Sequence, residues 1–303
     1  MSKIKIKIKK KKGINVLSLF DGMSCGQIAL NKIGIKYNKY FASEIDKYAI
    51  EVTQNNYPQT IQLGDVKSIN IKGLPKIDLL MGGSPCQGLS IAGKKLGLSD
   101  PRSILFWEFV KIKNELNPKY FLLENVKMNK ESQNVISDSL AVQPQEINSN
   151  LVSAQNRKRL YWTNIPGIKQ PKDKNILLKD IIESGYVDRD KSFCIDANYF
   201  KGGNLKQYFE KSRRQLVFEK HGFNKGGFFY KDKFNTLRSC TPYNYAVLDG
   251  IEWRKLTPIE CERLQTIPDN YTDFVSNAQR YKMLGNGWTV DVICHILKCM
   301  DIS

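Results

Sequence analysis

Residues 15–33 read NVLSLFDGMSCGQIALNKI: a short apolar run, a tight glycine turn and an amphipathic stretch. The apolar run predicts a strand, and the stretch after the turn predicts a helix. The alternation continues to about residue 165, with further apolar runs at 39–45, 77–83 and 120–126 and with strands expected around 146–153 and 159–165. Apolar strands that alternate with helices predict an α/β fold, a doubly wound and mostly parallel sheet buried on both faces. Ligands of such Rossmann-like sheets bind at the carboxyl ends of the strands.

The same patterning divides the chain into four parts. Residues 1–12 alternate Lys with Ile and predict a solvated basic arm, whereas residues 13–165 form the main α/β domain. Residues 166–248 are rich in Lys, Gly and aromatic residues and lack the alternation, so they indicate a small lobe or a long insertion. Residues 249–303 return to the main domain, and Thr257 is the expected cap of a helix that begins at a proline.

Charge favours a polyanionic partner. The chain has 47 Lys and Arg against 30 Asp and Glu, a net charge of +17. Cations that neutralise phosphates release counterions, which gives nucleic-acid binding its salt dependence. A Lys-heavy chain can also reflect the base composition of its genome, so charge alone leaves both interpretations open.

The cysteine spacing and the hydropathy of the chain indicate in which cellular compartment the protein is expected. The seven cysteines are irregularly spaced, which favours a reducing environment. No apolar run reaches the roughly 18 to 20 residues of a membrane span, and the first residues lack a secretory apolar segment. We therefore expect a cytoplasmic protein with no membrane partner. Cys294 and Cys299 flank His295, but their spacing favours core thiols over a zinc site, and we predict no metal.

Three strand exits carry residues suited to an adenosine-containing cofactor. The first is a tight glycine turn of the kind that lets the backbone approach a nucleotide-like ligand, although such a turn can also be only a turn. The second strand ends in Glu44, an acid suited to accept hydrogen bonds from ribose hydroxyls. The third is followed by Asp65, an acid suited to accept from an exocyclic amine. The turn lacks G-x-G-x-x-G, so S-adenosyl-L-methionine fits better than NAD. The residues concerned are Phe20, Asp21, Gly22, Glu44, Ile45, Asp65 and Val66.

The fourth strand leads into GGSPCQGLS (residues 82–90), which contains Cys86. A lone cysteine is usually core filler. A thiol at the carboxyl end of a strand, between a rigid proline and flexible glycines, is instead a candidate nucleophile.

Two further patterns supply an acid and a pair of cations. Glu124 follows the apolar run FLL, where a partly buried carboxyl group suits proton donation, unless it only neighbours a helix cap. Gln155, Arg157 and Arg159 alternate at the predicted start of a strand and would point to one face. A guanidinium group there can hold a carbonyl oxygen, a carboxylate or a phosphate, although a solvated basic strand end is the alternative.

Taken in order, these residues resemble the DNA cytosine-5 methyltransferases. The resemblance covers nearly the whole chain, and within the family it extends to the animal de novo enzymes and their phage or bacterial relatives. It rests on Pro85-Cys86-Gln87, Glu124-Asn125-Val126, Gln155-x-Arg157-x-Arg159, the stretch at 254–272 and Gly285-Asn286-Gly287.

The resemblance implies a covalent mechanism. The Cys86 thiolate adds to C6 of cytosine, Glu124 neutralises the ring at N3 and Arg159 holds O2, while Arg157 completes the catalytic set and supports the site. It also adds Pro85 and Asn286 to the residues that bind the cofactor.

Double-stranded DNA is the partner that the resemblance implies, with the target cytosine flipped out of the helix. The expected DNA contacts are Gln87, Ser90, Lys94 and Lys95, in a segment at 87–102 that we predict to close over the site, together with Gln155. Residues 166–248 occupy the place of the target-recognition region, with a featureless surface insertion as the alternative.

The resemblance further implies a monomer of prokaryotic or phage origin, with a cognate restriction endonuclease as a partner that the sequence leaves open. Two other functions remain: methylation of tRNA, which the size of the 166–248 insertion disfavours, and a catalytically silent DNA-binding relative. The chain departs from the family pattern at Thr266-Ile267-Pro268 and at Trp288, where a smaller residue is frequent. Neither departure is expected to touch the chemistry.

Overall fold

The computed structural model describes residues 13–84, 104–220 and 251–302. Its centre is a seven-stranded sheet with the strand order β3-β2-β1-β4-β5-β7-β6. The strands are β1 (Ile14–Leu19), β2 (Tyr37–Ser43), β3 (Ile61–Gln62), β4 (Leu79–Gly82), β5 (Tyr120–Val126), β6 (Gln145–Asn148) and β7 (Lys158–Thr163).

Most neighbouring strands run parallel, and β7 is antiparallel to both β5 and β6. This arrangement confirms the predicted α/β fold with a mostly parallel sheet. Alternate residues of each strand enter two separate buried clusters: Val16 and Leu122 enter one, Leu17 and Leu123 the other. The period of two places one core on each face of the sheet.

Helices cover both faces. Four helices precede the 166–248 segment: α1 (Cys25–Lys32), α2 (Lys47–Asn56), α3 (Ile104–Leu116) and α4 (Lys130–Leu140). Helix α5 (Leu205–Lys211) lies within the segment, and α6 (Pro258–Leu264), α7 (Asn277–Asn286) and α8 (Val290–Leu297) follow it. Helix α8 packs against α1 over the first core, and α3 and α4 cover the second.

The cap predicted at the start of α6 is confirmed. The Thr257 hydroxyl accepts a hydrogen bond from the Glu260 backbone N–H, and the Glu260 carboxylate accepts one from the Thr257 N–H. This reciprocal capping box satisfies two backbone donors that the helix itself leaves free.

Two local expectations differ from the structure. The strand expected near 146–153 ends at Asn148, because the Asn148 side chain accepts from the Asn150 N–H and turns the chain into a short 3-10 helix, Ser149–Leu151. Helix α7 was not predicted from the sequence, whose apolar pattern there is weak.

A second, two-stranded sheet joins β8 (Leu216–Lys220) to β9 (Ile251–Lys255) in antiparallel pairing. Leu178, Ile195 and Tyr199, from the segment expected to form a lobe, lie in the same buried cluster as the first face of the main sheet. The first part of that segment is therefore continuous with the main core, and residues 221–250 lie outside the described ranges.

A buried ion pair anchors the chain between α6 and α7. Glu262 is fully buried, contacts Arg280 Nη2 at 3.0 Å and also accepts from the backbone N–H groups of Asn270 and Thr272. Arg280 is itself only 5% exposed. A buried charge that loses its partner is strongly destabilising.

We expect Glu262→Ala to lower the free energy of unfolding by about 3 to 5 kcal/mol, because it leaves the Arg280 guanidinium buried beside one fewer carboxylate. Denaturant unfolding measures the change. The matched control is Asp269→Ala, which breaks the more exposed pair with Arg263 and should cost about 1 kcal/mol or less. Equal losses in the two variants would contradict this account of the anchor.

Candidate active site

A cleft of about 660 Å³ opens at the carboxyl ends of β1, β2, β4 and β5. It lies where the strand order reverses between β1 and β4, the point at which doubly wound sheets leave a crevice for ligands. Most of the residues that the sequence singled out line this cleft: Phe20, Asp21, Gly22, Glu44, Ile45, Asp65, Val66, Glu124, Arg157, Arg159 and Asn286.

The remaining predicted residues lie outside the described ranges or away from the cleft. Pro85, Cys86, Gln87, Ser90, Lys94 and Lys95 fall within residues 85–103, as does the expected closing segment, and these lie outside the described residues. Their roles therefore stay predictions. Gln155 is the residue that the structure places elsewhere.

Glu44 fixes the glycine turn against the second strand. One carboxylate oxygen accepts from the Gly22 N–H at 2.8 Å, and the other accepts from the N–H groups of Ile45 and Asp46, each at 2.8 Å. Phe20 adopts a left-handed backbone conformation with φ of 56°, so the strand turns sharply as it ends. The turn and Glu44 thus form one rigid wall of the cleft.

Two features of this wall suit a bound cofactor. Ile45 is 75% exposed, an apolar side chain that a flat ring could cover. The buried Asp21 Oδ2 has no hydrogen-bond partner among the described residues, while Oδ1 accepts from the Tyr40 hydroxyl at 2.8 Å. A buried acceptor of this kind is a place where a ligand donor or cation compensates the cost of burial.

Burial raises the pKa of Asp21 to about 6, although the hydrogen bond from Tyr40 acts in the opposite direction. Asp65 lines the same cleft three residues beyond the end of β3, and its carboxylate accepts from the Lys67 N–H at 3.0 Å. Val66 beside it is buried. Five acidic residues line the cleft: Asp21, Glu44, Asp46, Asp65 and Glu124. Among the described residues of this set, Asp21 is the one with a buried oxygen that lacks a hydrogen-bond partner.

The deepest charged pair is Glu124 with Arg159. Arg159 Nε lies 3.0 Å from Glu124 Oε1, and both side chains are nearly buried. The second oxygen, Oε2, accepts from the indole Nε1 of Trp288 at 3.2 Å. Trp288 is one of the two places where the chain departs from the family pattern, and from the sequence we expect neither to contact the catalytic residues. The structure corrects this expectation for Trp288, because its indole contacts Glu124, the predicted acid.

Arg157 is held by backbone carbonyls and a thiol. Its Nη1 donates to Ile195 O at 3.0 Å and to Cys194 Sγ at 3.2 Å, and its Nη2 donates to Gly285 O and Gly287 O. Since both terminal nitrogens are engaged, Arg157 joins the cleft wall to the end of α7. Its predicted place in the catalytic set stays a prediction.

Cys194 is a neighbour of the arginines that the sequence did not indicate. Burial acts to raise the pKa of its thiol, but the Arg157 and Arg159 guanidinium groups outweigh burial and lower it. No local motif marks Cys194, because it approaches the arginines only in the folded chain.

Gln155 is fully buried, which corrects the prediction that it contacts DNA. Its amide nitrogen donates to Leu264 O at 2.9 Å and to Gln265 Oε1 at 3.0 Å. From the sequence we expect Gln155 to share a strand face with Arg157 and Arg159. Strand β7 begins only at Lys158, so Gln155 precedes the strand and does not follow its alternation. Gln155 therefore ties the entry of β7 to α6.

Comparison with known proteins agrees with this geometry. The family model for C-5 cytosine-specific DNA methylase matches residues 14–301. The chain therefore belongs to the C-5 cytosine-specific DNA methylase family, whose members are DNA (cytosine-5)-methyltransferases.

Individual relatives are bacterial and phage enzymes. The chain is 28% identical to the type II methyltransferase M.HhaI of Haemophilus parahaemolyticus, over 97% of this chain and 96% of that protein. It is 31% identical to M1.ScrFI of Lactococcus lactis subsp. cremoris, over 94% and 77%. It is 37% identical to the orphan methyltransferase M.SPRI of Bacillus phage SPR, over 57% and 43%.

Solved structures share the fold. The Entamoeba histolytica methyltransferase EhMeth superposes with a TM-score of 0.72 at 18% identity, covering 95% of this chain and 98% of that one. Spodoptera frugiperda DNMT2 gives 0.63 at 22% identity, covering 95% and 99%.

Within the described ranges, every helix is too short or too polar to cross a bilayer. The same ranges hold no group of three or more His, Cys, Asp or Glu side chains arranged for a metal ion.

We expect Asp21 to impose a measurable pH dependence on stability. Its raised pKa means that the folded protein binds this proton more tightly than the unfolded chain, so the stabilisation is complete below pH 4 and is lost as pH rises through about 6. The loss is ~3 kcal/mol for this single group. Denaturant unfolding at several pH values should show that Asp21→Asn lacks this decline; parallel curves for the variant and the native chain would contradict it.

Proposed function

We propose that the chain transfers a methyl group from S-adenosyl-L-methionine to carbon 5 of cytosine in double-stranded DNA, through a covalent Cys86 adduct on a flipped base. The observation that carries the proposal is the Glu124–Arg159 pair, 3.0 Å apart and nearly buried in the cleft of a chain that belongs to this family. An acid and a guanidinium group held together in a cleft can neutralise charge that develops on a pyrimidine ring.

The cofactor would be held along the wall formed by β1, β2 and β3. We assign the ribose hydroxyls to Glu44, the exocyclic amine to Asp65, the base to the exposed Ile45 and the cationic part to Asp21. Asn286, Phe20, Gly22, Val66 and Pro85 complete the proposed binding set. When bound, S-adenosyl-L-methionine supplies an electrophilic methyl group.

The target ring must first become nucleophilic at carbon 5. The Cys86 thiolate adds to C6, and the electron pair of the C5–C6 bond moves into the ring as Glu124 shares a proton with N3 and Arg159 donates to O2. This spreads the developing charge over the buried pair.

The remaining steps restore the aromatic ring. Carbon 5 forms a bond to the methyl group as the bond from methyl carbon to sulfonium sulfur breaks. Water then takes the proton from carbon 5, and the electron pair released breaks the bond from C6 to sulfur, which returns Cys86 as a thiolate. The described cleft residues include no histidine, so the proposal leaves the last proton to water.

DNA recognition is assigned to residues 166–248 and to the lysines of the 87–102 segment. Cations and aromatic side chains in 166–248 suit groove contacts and base edges. Extrusion of the cytosine costs a few kcal/mol, which these contacts would offset.

The proposal is tested by transfer of labelled methyl from S-adenosyl-L-methionine to duplex DNA and to tRNA, followed by bisulfite sequencing of DNA from cells that express the chain. Methylation of cytosine in duplex DNA is the expected result. Methyl transfer to tRNA alone would overturn the DNA assignment, and cofactor binding without turnover on either substrate would indicate a silent relative.

The covalent step has its own test. We expect Cys86→Ser to abolish methyl transfer and to prevent formation of a stable adduct with DNA that contains 5-fluorocytosine, because the thiolate is the attacking group. Methyl transfer retained in Cys86→Ser, or no adduct with the native chain, would reject the mechanism.

We further expect Glu124→Gln to lower kcat by a factor of about 10² to 10⁴, because the amide cannot share a proton with N3 in the same way. Single-turnover methyl transfer measures the effect. The control is Glu146→Gln, at the more exposed pair with Lys127, which should leave kcat within about twofold. Native rates in Glu124→Gln would contradict the assigned role.

A further inference from the structure

Trp288 places an indole N–H on the proposed acid. The ring is 9% exposed and belongs to the buried cluster on the first face of the sheet. Its Nε1 donates to Glu124 Oε2 at 3.2 Å, although the two residues are 164 positions apart in the chain. A buried indole N–H requires an acceptor, and here the acceptor is the carboxylate.

The contact complements the one on the other oxygen. Arg159 Nε lies 3.0 Å from Glu124 Oε1 in an ion pair, so each carboxylate oxygen has one partner, and the two partners are far apart in the chain. One ion pair and one hydrogen bond, on two different oxygens, hold both the position and the plane of the carboxyl group. A carboxylate has about four acceptor sites, so two remain for a substrate ring.

Gly83 makes the contact sterically feasible. A Cβ at this position would lie 3.0 Å from Trp288 Nε1 and 3.3 Å from Glu124 Oε2. Both distances are shorter than ordinary contacts, so a side chain at 83 would push the indole and the carboxylate apart. The exit of β4 is therefore shaped to let the two groups meet.

We propose that Trp288 is a positioning residue for Glu124. It orients the carboxyl group for proton sharing with the target ring, so that the chemical step depends on it more than substrate binding does. The inference rests on the proposed function of Glu124, and it assigns a role to a residue that the sequence marked only as a departure from the family pattern.

The test is a double-mutant cycle in kcat, with Trp288→Phe, Glu124→Gln and the double variant. Trp288→Phe keeps most of the ring but removes the donor, and we expect kcat to fall by about tenfold to a hundredfold, the worth of a hydrogen bond to a charged group. KM for S-adenosyl-L-methionine and for DNA should stay within about twofold. On the Glu124→Gln background, the same change should have less than about a twofold further effect.

The matched control is Trp162→Phe. Trp162 is a fully buried tryptophan whose indole donates one hydrogen bond, to Ser137 Oγ at 3.0 Å, between β7 and α4 and outside the cleft. We expect the Trp162→Phe variant to lose about as much thermal stability as Trp288→Phe does, while its kcat stays at the native value. This control separates loss of an indole hydrogen bond in general from loss of the one on Glu124.

The outcomes are distinguishable. A native kcat in Trp288→Phe, a loss confined to KM for S-adenosyl-L-methionine, or additive losses in the double variant would each overturn the positioning role while leaving the proposed function intact. A native chain that methylates no cytosine would overturn the proposed function, and the role of Trp288 with it.

Discussion

The site depends on the antiparallel pairing of β5 with β7. In that register Glu124 lies opposite Tyr161, and Val126 lies opposite Arg159. Glu124 and Arg159 are therefore diagonal neighbours on one face of the sheet, close enough for a 3.0 Å ion pair. Because side chains alternate between faces, a slip of one residue would move Arg159 to the opposite core and leave the carboxylate without its cation. Strand register thus determines whether this ion pair forms in the cleft.

Around this pair, the buried cations are satisfied by carbonyls rather than by further acids. Arg157 donates to three backbone carbonyls and to the Cys194 thiol, which joins β7 to the 166–248 segment and to the end of α7. A buried guanidinium group needs such acceptors to offset its lost hydration. The consequence is a division between the two arginines: Arg157 holds the wall of the cleft, and Arg159 remains available to face the carboxylate.

The sequence predicted the fold and most of the cleft because both follow from local rules. Carboxyl ends of parallel strands meet at one edge, so the acids after β1, β2 and β3 could be brought together without coordinates. Contacts between residues far apart in the chain could not be predicted in this way. Gln155 turns inward to residues more than 100 positions away, Cys194 meets two arginines, and Trp288 reaches Glu124, none of which a local pattern encodes. Helix α7 was missed because its apolar pattern is weak.

The acids Asp21 and Glu44 share one wall but are unequal in their hydrogen bonding. Glu44 accepts from three backbone N–H groups, which fix the glycine turn against the second strand. Asp21 has one hydroxyl donor and one buried oxygen with no partner in the described part of the chain. The geometry thus separates Glu44, whose two oxygens are both held by backbone donors, from Asp21, which keeps one buried oxygen without a partner in the described residues. S-adenosyl-L-methionine, the cofactor proposed above, carries both ribose hydroxyls and a cationic sulfonium group.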